Sequence, residues 1–246
     1  VIIAAGGDGT VNEVANGILK SDKSPSFGII PIGRGNDFAY TANIPCDVDK
    51  AVDLILSSTA TDIDVGLLYG KNAADGRFFI NGAGIGFEPE VNFKASSYKH
   101  INGVASYLLA FLHCFCFIPK PYDIEMRVDD KNINLKTQQI SICNGRRMGG
   151  AFIMGPRAVI NDGKLDVVYA NRPLKRLKIT RLALRFFSGT QLKSKYMDML
   201  NAERVVDIKS ARAEMKIHVD GEEISRDAAF CRIEMVKKGL RLFYNR

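Results

Sequence analysis

Two glycine-rich segments carry the residue types best suited to chemistry. The first follows an apolar run and reads Gly6-Gly7-Asp8-Gly9-Thr10-Val11-Asn12-Glu13. Glycines allow positive φ and let backbone N–H groups approach an anion closely, so this loop suits phosphate. The Asp8 carboxylate would repel phosphate unless it held Mg²⁺ or a proton. The combination indicates phosphoryl transfer; the alternative is a strand-to-helix turn whose aspartate bonds its own backbone.

The same segment predicts where a helix begins. Thr10 and Glu13 have the spacing of a capping box, which would make Thr10 the N-cap of a helix over 11–20. The positive end of that helix would then face the glycine loop.

A second glycine pair follows the next predicted strand, over 27–32, in the segment Gly33-Arg34-Gly35-Asn36-Asp37-Phe38. Arg34 could reach phosphate oxygens with two parallel N–H donors. Ligands of open α/β sheets bind outside the carboxyl ends of the strands, so the two segments could flank one nucleotide.

Two acidic turns lie further along the chain. The strand Met215–Val219 is followed by Asp220-Gly221, which predicts a tight hairpin turn and a return strand. Glu222 and Glu223 would face opposite sides of that return strand. The other turn, Asn161-Asp162-Gly163, has the composition of a loop between strands.

The elements that must position these residues change character near Thr61. Before it, apolar strands alternate with helical stretches, the last over 48–57; after it, short β-rich runs dominate, with helical insertions around 97–117 and 173–187. We therefore predict an α/β plus β fold: a partial Rossmann-like nucleotide-binding domain over 1–61, then an antiparallel β-sandwich domain over 62–246. Since Val1 already lies in a strand pattern, we expect further residues ahead of it.

The amino-acid composition narrows the class of protein. The chain is 46% hydrophobic and 25% charged, as in ordinary globular proteins, and its five cysteines lack C-x-x-C spacing. Neither a disulfide framework nor a zinc ribbon is indicated, which favours a reducing cytoplasm. The longest apolar run, 104–118, falls short of the roughly 18 to 20 residues that cross a bilayer.

The net charge of +7 favours anionic partners, and much of it lies in one stretch. Between Val167 and Met197 there is no acidic residue, while eight basic residues alternate with leucine and phenylalanine. This segment is either a solvated helix that covers its own domain or a surface that docks on anionic lipid. Nucleic acid ranks lower because no recognised nucleic-acid module accompanies the charge. The apolar run 107–117 is either core or a wall for acyl chains.

Taken together, Gly6 to Val14 and Gly33 to Ala39 resemble the diacylglycerol kinase catalytic domain, in its bacterial lipid kinase branch. The resemblance implies that Gly6 to Glu13 line the phosphates of ATP, with Arg34 at a nucleotide-contacting position where many relatives have Thr or Ser. It implies that Glu222 is the general base and that Asp8 is catalytic. It also implies a Mg²⁺ held by Asp162 and by the backbone carbonyls of Val159 and Lys164, and a missing N-terminal strand and helix.

The resulting hypothesis is an ATP-dependent and Mg²⁺-dependent lipid kinase that converts diacylglycerol, or a similar lipid, to phosphatidic acid. We expect a cytoplasmic protein in peripheral contact with anionic membrane, no nucleic acid partner, and leave homodimer formation open. One alternative is a soluble small-molecule kinase such as an NAD kinase. The other is a non-catalytic protein that binds phospholipid or nucleic acid.

Overall fold

The computed structural model describes residues 1–98, 109–110, 112–113, 120–212 and 214–245. The N-terminal part alternates strands and helices. These are β1 (Ile2–Gly6), α1 (Asp8–Leu19), β2 (Phe27–Pro31), α2 (Asp37–Thr41) and α3 (Val48–Ser57). β1 and β2 pair in parallel, which brings the ends of both strands, and thus both glycine segments, to the same edge.

The rest of the described chain is mainly antiparallel. Its strands are β3 (Thr61–Gly70), β4 (Ala73–Phe79), β5 (Gly82–Gly86), β6 (Tyr122–Val128), β7 (Lys131–Thr137), β8 (Gln139–Cys143), β9 (Arg147–Met148), β10 (Phe152–Ile153), β11 (Leu165–Ala170), β12 (Met197–Ala202), β13 (Val205–Ser210), β14 (Met215–Val219), β15 (Glu222–Ala228) and β16 (Phe230–Leu242). Two longer helices accompany them, α4 (Phe87–Ser96) and α5 (Arg176–Phe187), with a 3₁₀ turn at Gln191–Lys193.

Two sheets face each other across the main core. One has the order β12-β11-β8-β5-β14-β15, and the other runs β1-β2-β16-β13-β6-β7 with β3 and β4 attached to β16. Side chains alternate strictly along β6, where every second residue is buried, as expected for a strand with one covered face. The buried set between the sheets includes Phe79, Ile142, Leu165 and Ile233.

The long strand β16 joins the two parts of the molecule. It pairs along most of its length with β3, and its last residue, Leu242, pairs in parallel with Phe27 of β2. The adjacent Phe243 N–H donates to the Phe27 carbonyl at 3.0 Å. A second core under α1, α2 and α3 therefore continues into the sandwich through Ile63, Leu240 and Leu242.

The predicted fold class, an α/β unit followed by an antiparallel sandwich, is confirmed. The strand predicted over 27–32 corresponds to β2, and the strand predicted over 215–219 coincides with β14. The helix predicted over 48–57 coincides with α3, which Asp47 caps by accepting from the Lys50 N–H at 3.0 Å. The predicted domain boundary near Thr61, where β3 begins, stays a prediction. Most of the helix predicted around 97–117, and most of the apolar run 107–117, lie outside the described residues.

Candidate active site

The two glycine segments lie in direct contact. A Cβ on Gly33 would lie only 2.2 Å from the Cα of Gly7, so both positions need to be glycine for the backbones to approach this closely. Asn36, at φ 51°, closes the second loop by accepting from the Gly33 N–H and donating to the Gly33 carbonyl, each at 3.0 Å. The paired loops form one floor at the edge of the sheet.

The capping-box prediction was wrong. Helix α1 begins at Asp8 with Gly7 as its N-cap, so Thr10 lies in the first turn and Glu13 one turn later. Gly7 takes the extended N-cap conformation directly after β1. The helix therefore starts before Thr10, and Thr10 cannot be its N-cap. Because glycine has no side chain to occupy them, the first N–H groups of α1 remain available for an anion at its positive end.

Asp8 and Asp37 bring two carboxylates to this floor. Asp8 Oδ1 accepts from the Asp37 N–H at 2.6 Å, while the Asp37 carboxylate accepts from Arg147 Nε at 2.8 Å and from the Gly150 N–H at 3.0 Å. Burial and the nearby charge of Asp8 outweigh these bonds and raise the pKa of Asp37 to about 6. The charge of these adjacent carboxylates is incompletely neutralised. Carboxylate oxygens are the hard ligands that Mg²⁺ prefers, so Asp8 and Asp37 fit this ion.

The raised pKa of Asp37 predicts a pH-dependent stability. A carboxyl that holds its proton more tightly when folded stabilises the protein below its unfolded pKa, near 3.8, and that stabilisation is lost as pH rises through about 6. Without divalent cations, we expect the free energy of unfolding of the Asp37→Asn variant to fall less between pH 4 and pH 7 than that of the wild type, by about 1 to 3 kcal/mol. Urea titrations at both pH values measure the difference; parallel pH profiles would contradict it.

Glu222, the first residue of β15, lies above the glycine loop. A Cβ on Gly9 would be 3.8 Å from Glu222 Oε1, and Glu222 Oε2 accepts from Arg77 Nη2 at 2.7 Å. The same Arg77 nitrogen donates to Asn12 Oδ1 at 2.6 Å. The C-terminal hairpin thus places one carboxylate beside a loop from the start of the chain, with an arginine from β4 between them.

Asp220 fixes the hairpin turn to the rest of the site. Asp220 and Gly221 both have positive φ, 47° and 89°, as in a type I′ turn. The Asp220 carboxylate accepts from the N–H groups of Ile80, Asn81 and Gly82 and from Asn12 Nδ2, at 2.7 to 3.0 Å. Burial nevertheless raises its pKa, against the effect of these bonds.

Not all residues predicted to contact nucleotide point toward the loop. Val11 packs in the core under the helices, and Asn12 is fully buried in the network with Arg77 and Asp220. Glu13 and Arg34 are exposed. The nucleotide contacts of all these residues stay predictions.

Three polar residues of this site, Asp37, Asp220 and Arg77, had no predicted role. Asp37 and Asp220 belong to the second glycine segment and to the hairpin turn, so their membership of those segments was an available signal. Arg77 lies in an ordinary strand pattern, and only the folded structure reveals its contacts with Asn12 and Glu222.

The second acidic turn lies before β11. Asp162 Oδ1 accepts from the Lys164 N–H at 3.0 Å, and Lys164 Nζ lies 3.7 Å from Glu203. Burial raises the pKa of Asp162, with a further contribution from the charge of Asp64, and burial with the charge of Asp162 raises the pKa of Asp166 to about 6.

This local excess of negative charge fits a divalent cation. Asp166 Oδ2 is buried and has no hydrogen-bond partner within the described part of the chain. Within that same part, however, no group of three or more His, Cys, Asp or Glu side chains is arranged to hold a metal. A Mg²⁺ on Asp162 with the carbonyls of Val159 and Lys164 therefore stays a prediction that depends on backbone oxygens.

An apolar pocket opens beside the Asp220-Gly221 turn. Its cavity volume is about 170 Å³, and its mouth opens to solvent. Asp8, Asp37 and Asp220 lie at its polar end. The remaining wall is mostly apolar and comes from α4, α5 and neighbouring segments, including Phe87, Val91, Phe152, Leu174, Ile179, Leu182 and Phe186. A pocket of this kind suits a ligand with a long apolar portion and one polar end.

The chain matches two protein-family models and several curated relatives. Residues 1–68 match the family described as "Diacylglycerol kinase catalytic domain", and residues 82–243 match the "YegS C-terminal NAD kinase beta sandwich-like domain". The chain is 31% identical to the diacylglycerol kinase of Bacillus subtilis (strain 168) over 226 residues, 90% of this chain and 71% of that protein. It is 33% identical to a Pectobacterium atrosepticum protein named "Probable lipid kinase YegS-like", over 91% of this chain and 72% of the relative.

The fold has a solved counterpart as well. A crystal structure of a diacylglycerol kinase from Bacillus anthracis str. Sterne superimposes with a TM-score of 0.71 at 21% identity, covering 99% of this chain and 76% of that one. The two family models and the relatives of at least 30% identity identify a kinase of the lipid kinase class. Within that class, the chain belongs to the diacylglycerol kinase family.

Proposed function

We propose that this protein transfers the γ-phosphate of ATP to the hydroxyl of diacylglycerol, or of a similar lipid, to give phosphatidic acid or its analogue. One observation carries the proposal: Glu222 lies above Gly9 of the glycine loop and directly follows the turn that borders the apolar pocket. Asp220 and Gly221 of that turn line the pocket. A base, a phosphate-binding loop and a site for an acyl chain then meet at one point, as transfer to a lipid hydroxyl requires.

The chain's own residues account for each part of the transfer. Glu222 would accept the proton of the lipid hydroxyl as that oxygen forms its bond to the γ-phosphorus and ADP leaves. Arg77, bonded to Glu222 Oε2, would hold the carboxylate in place, and the first N–H groups of α1 would bind phosphate oxygens. Asp8 and Asp37 would hold Mg²⁺, whose charge offsets that of the phosphates when it is bound.

Phosphate transfer from labelled ATP to diacylglycerol in mixed micelles with Mg²⁺ tests the proposal. The assay uses the full-length gene product, including any residues ahead of Val1. Labelled phosphatidic acid is the expected product. Label on NAD instead would favour the small-molecule kinase, and transfer to neither acceptor would favour the non-catalytic binding protein.

Helix α5 supports peripheral docking on an anionic membrane. Its inner residues Ile179, Leu182 and Ala183 are buried and line the pocket, whereas Leu177 and Leu184 on its outer side are 65% and 68% exposed. Arg176, Lys178, Arg181 and Arg185 flank them, with no acidic residue in the segment. Exposed leucines among cations match the boundary of an anionic bilayer, where each basic residue contributes about 1 kcal/mol. Among the described residues, no helix is long and apolar enough to cross the bilayer.

We expect the double variant Leu177→Glu/Leu184→Glu to bind vesicles containing phosphatidylglycerol at least about 10-fold more weakly than the wild type. Each substitution removes a leucine side chain that would be buried in the membrane, and it adds a negative charge that anionic lipid repels. Vesicle sedimentation measures the partition coefficient. Leu56→Glu is the matched control, because Leu56 of α3 is 78% exposed on the other part of the molecule. An equal loss in both proteins, or in neither, would exclude α5 as the docking surface.

A further inference from the structure

A buried polar pair in the pocket wall has no part in the mechanism so far. Glu88 lies in the first turn of α4, and His218 lies in β14 with 2% of its surface exposed. Glu88 Oε1 is 3.1 Å from His218 Nε2. Gly84 packs against both side chains, since a Cβ there would lie 2.4 Å from His218 Nε2 and 2.9 Å from the Glu88 carboxyl carbon. The pair is therefore enclosed on the strand side as well.

The hydrogen bonds determine which nitrogen of His218 carries its proton. The Gly221 N–H donates to Nδ1 at 3.2 Å, so Nδ1 is the acceptor and Nε2–H donates to Glu88. Glu88 Oε2 also accepts from Ser141 Oγ at 2.6 Å and Gln139 Nε2 at 2.9 Å. Burial opposes ionisation of Glu88, but the hydrogen bonds from His218, Ser141 and Gln139 hold its pKa below the ordinary value. A carboxylate, an imidazole and one backbone N–H form a single directed chain.

Helix α4 also contacts Gly221 directly. Asn92, one turn after Glu88, donates from Nδ2 to the Gly221 carbonyl. The N–H and the carbonyl of Gly221 belong to the two peptide groups on either side of its Cα. The peptide groups on both sides of Gly221, whose φ is 89°, are thus held, one by His218 of β14 and the other by Asn92 of α4. Glu222 is the next residue, so these bonds set the direction in which its side chain leaves the turn.

We propose that Glu88 and Asn92, with His218 between Glu88 and Gly221, are positioning residues that aim Glu222 at the lipid hydroxyl. The inference rests on the proposed function for the role of Glu222, but the clamp itself is a feature of the fold. Phe87 and Val91 of the same helix line the apolar pocket, so α4 contributes both the wall for the lipid and the support for the base. A displacement of the base by about 1 Å can lower the reaction rate about 100-fold, so the position of Glu222 matters for catalysis.

Two substitutions of His218 distinguish a role in positioning Glu222 from a role in core packing alone. In His218→Asn, the amide oxygen can replace Nδ1 and keep the bond to Gly221; in His218→Gln, the amide nitrogen replaces Nε2 and keeps only the bond to Glu88. We expect kcat for lipid phosphorylation to fall about 3-fold in His218→Asn, which loses only the orienting bond to Glu88, and about 30-fold in His218→Gln, which loses the bond to Gly221, with KM for ATP unchanged in both.

Ser141→Ala is the matched control, because it removes a buried hydrogen bond to Glu88 on the side away from Gly221. It is expected to lower the melting temperature but to keep kcat. Equal kcat values for the two His218 variants, or a loss in Ser141→Ala as large as in His218→Gln, would show that the pair serves only stability.

A measurement on the wild-type protein keeps the inference testable even if a variant fails to fold or no lipid is phosphorylated. ¹⁵N NMR of the His218 ring should show a protonated Nε2 and an unprotonated, hydrogen-bonded Nδ1, and the Gly221 amide should exchange slowly with solvent. A protonated Nδ1 or a rapidly exchanging Gly221 amide would overturn the clamp. Absence of lipid turnover together with the expected NMR result would instead count against the proposed function alone.

Discussion

Replacing Glu222 with glutamine is expected to lower kcat for lipid phosphorylation by about 1000-fold, within the range that a general base contributes. Glutamine keeps the size of the side chain and its contact with Arg77, but it cannot take the proton of the attacking hydroxyl. The fold and the KM for ATP should stay close to those of the wild type, because glutamine fills the same space beside Gly9 and leaves the glycine loop unchanged. Steady-state assays in mixed micelles, with circular dichroism of each protein, measure the effect.

The adjacent residue provides the control. Glu223 pairs with Arg226 at 2.6 Å on the opposite side of β15, away from Arg77. Glu223→Gln is therefore expected to retain kcat within about 2-fold, as surface substitutions usually do. If Glu222→Gln kept a substantial part of the wild-type rate, or if both variants lost it equally, Glu222 would not be the base.

The Asp220→Ala variant should lose about 3 kcal/mol of stability, together with most of its turnover. Three backbone N–H groups and the Asn12 amide would lose their shared acceptor, and each donor left unsatisfied in a partly buried place costs about 1 to 3 kcal/mol before relaxation and water reduce the total. For a chain of this size, such a loss corresponds to a decrease in melting temperature of about 6 to 12 °C. Calorimetry or urea unfolding measures it.

Asp227 in the same hairpin shows what an exposed carboxylate contributes. It pairs with Lys71 at 2.6 Å, with both side chains more than half exposed. Asp227→Asn should leave the melting temperature and kcat unchanged, because solvent screens such pairs. An Asp220→Ala protein as stable as Asp227→Asn would mean that water replaces the Asp220 carboxylate without cost.

Local patterns predicted the elements that local physics decides. Apolar runs predicted β2 and β14, and Asp220-Gly221 predicted a two-residue turn, because backbone torsion preferences act over a few residues. The same reasoning failed at the start of α1, where Thr10 and Glu13 had the right spacing but Gly7 followed β1 directly and became the N-cap. The spacing of a capping box alone does not determine which of several candidate residues becomes the N-cap.

The sequence by itself determined the two glycine segments, the order of α/β unit and sandwich, the family, and the hairpin that carries Glu222. Only the tertiary structure decided that Glu222 lies above Gly9 and that Arg77 links Glu222 to Asn12. It likewise decided that His218 of β14 and Asn92 of α4 hold the N–H and the carbonyl of Gly221. It also decided that β16 returns to β2 and joins both parts of the molecule. These contacts link residues far apart in the chain, and they form because packing of the two cores, rather than any local torsion preference, sets the distance between their elements.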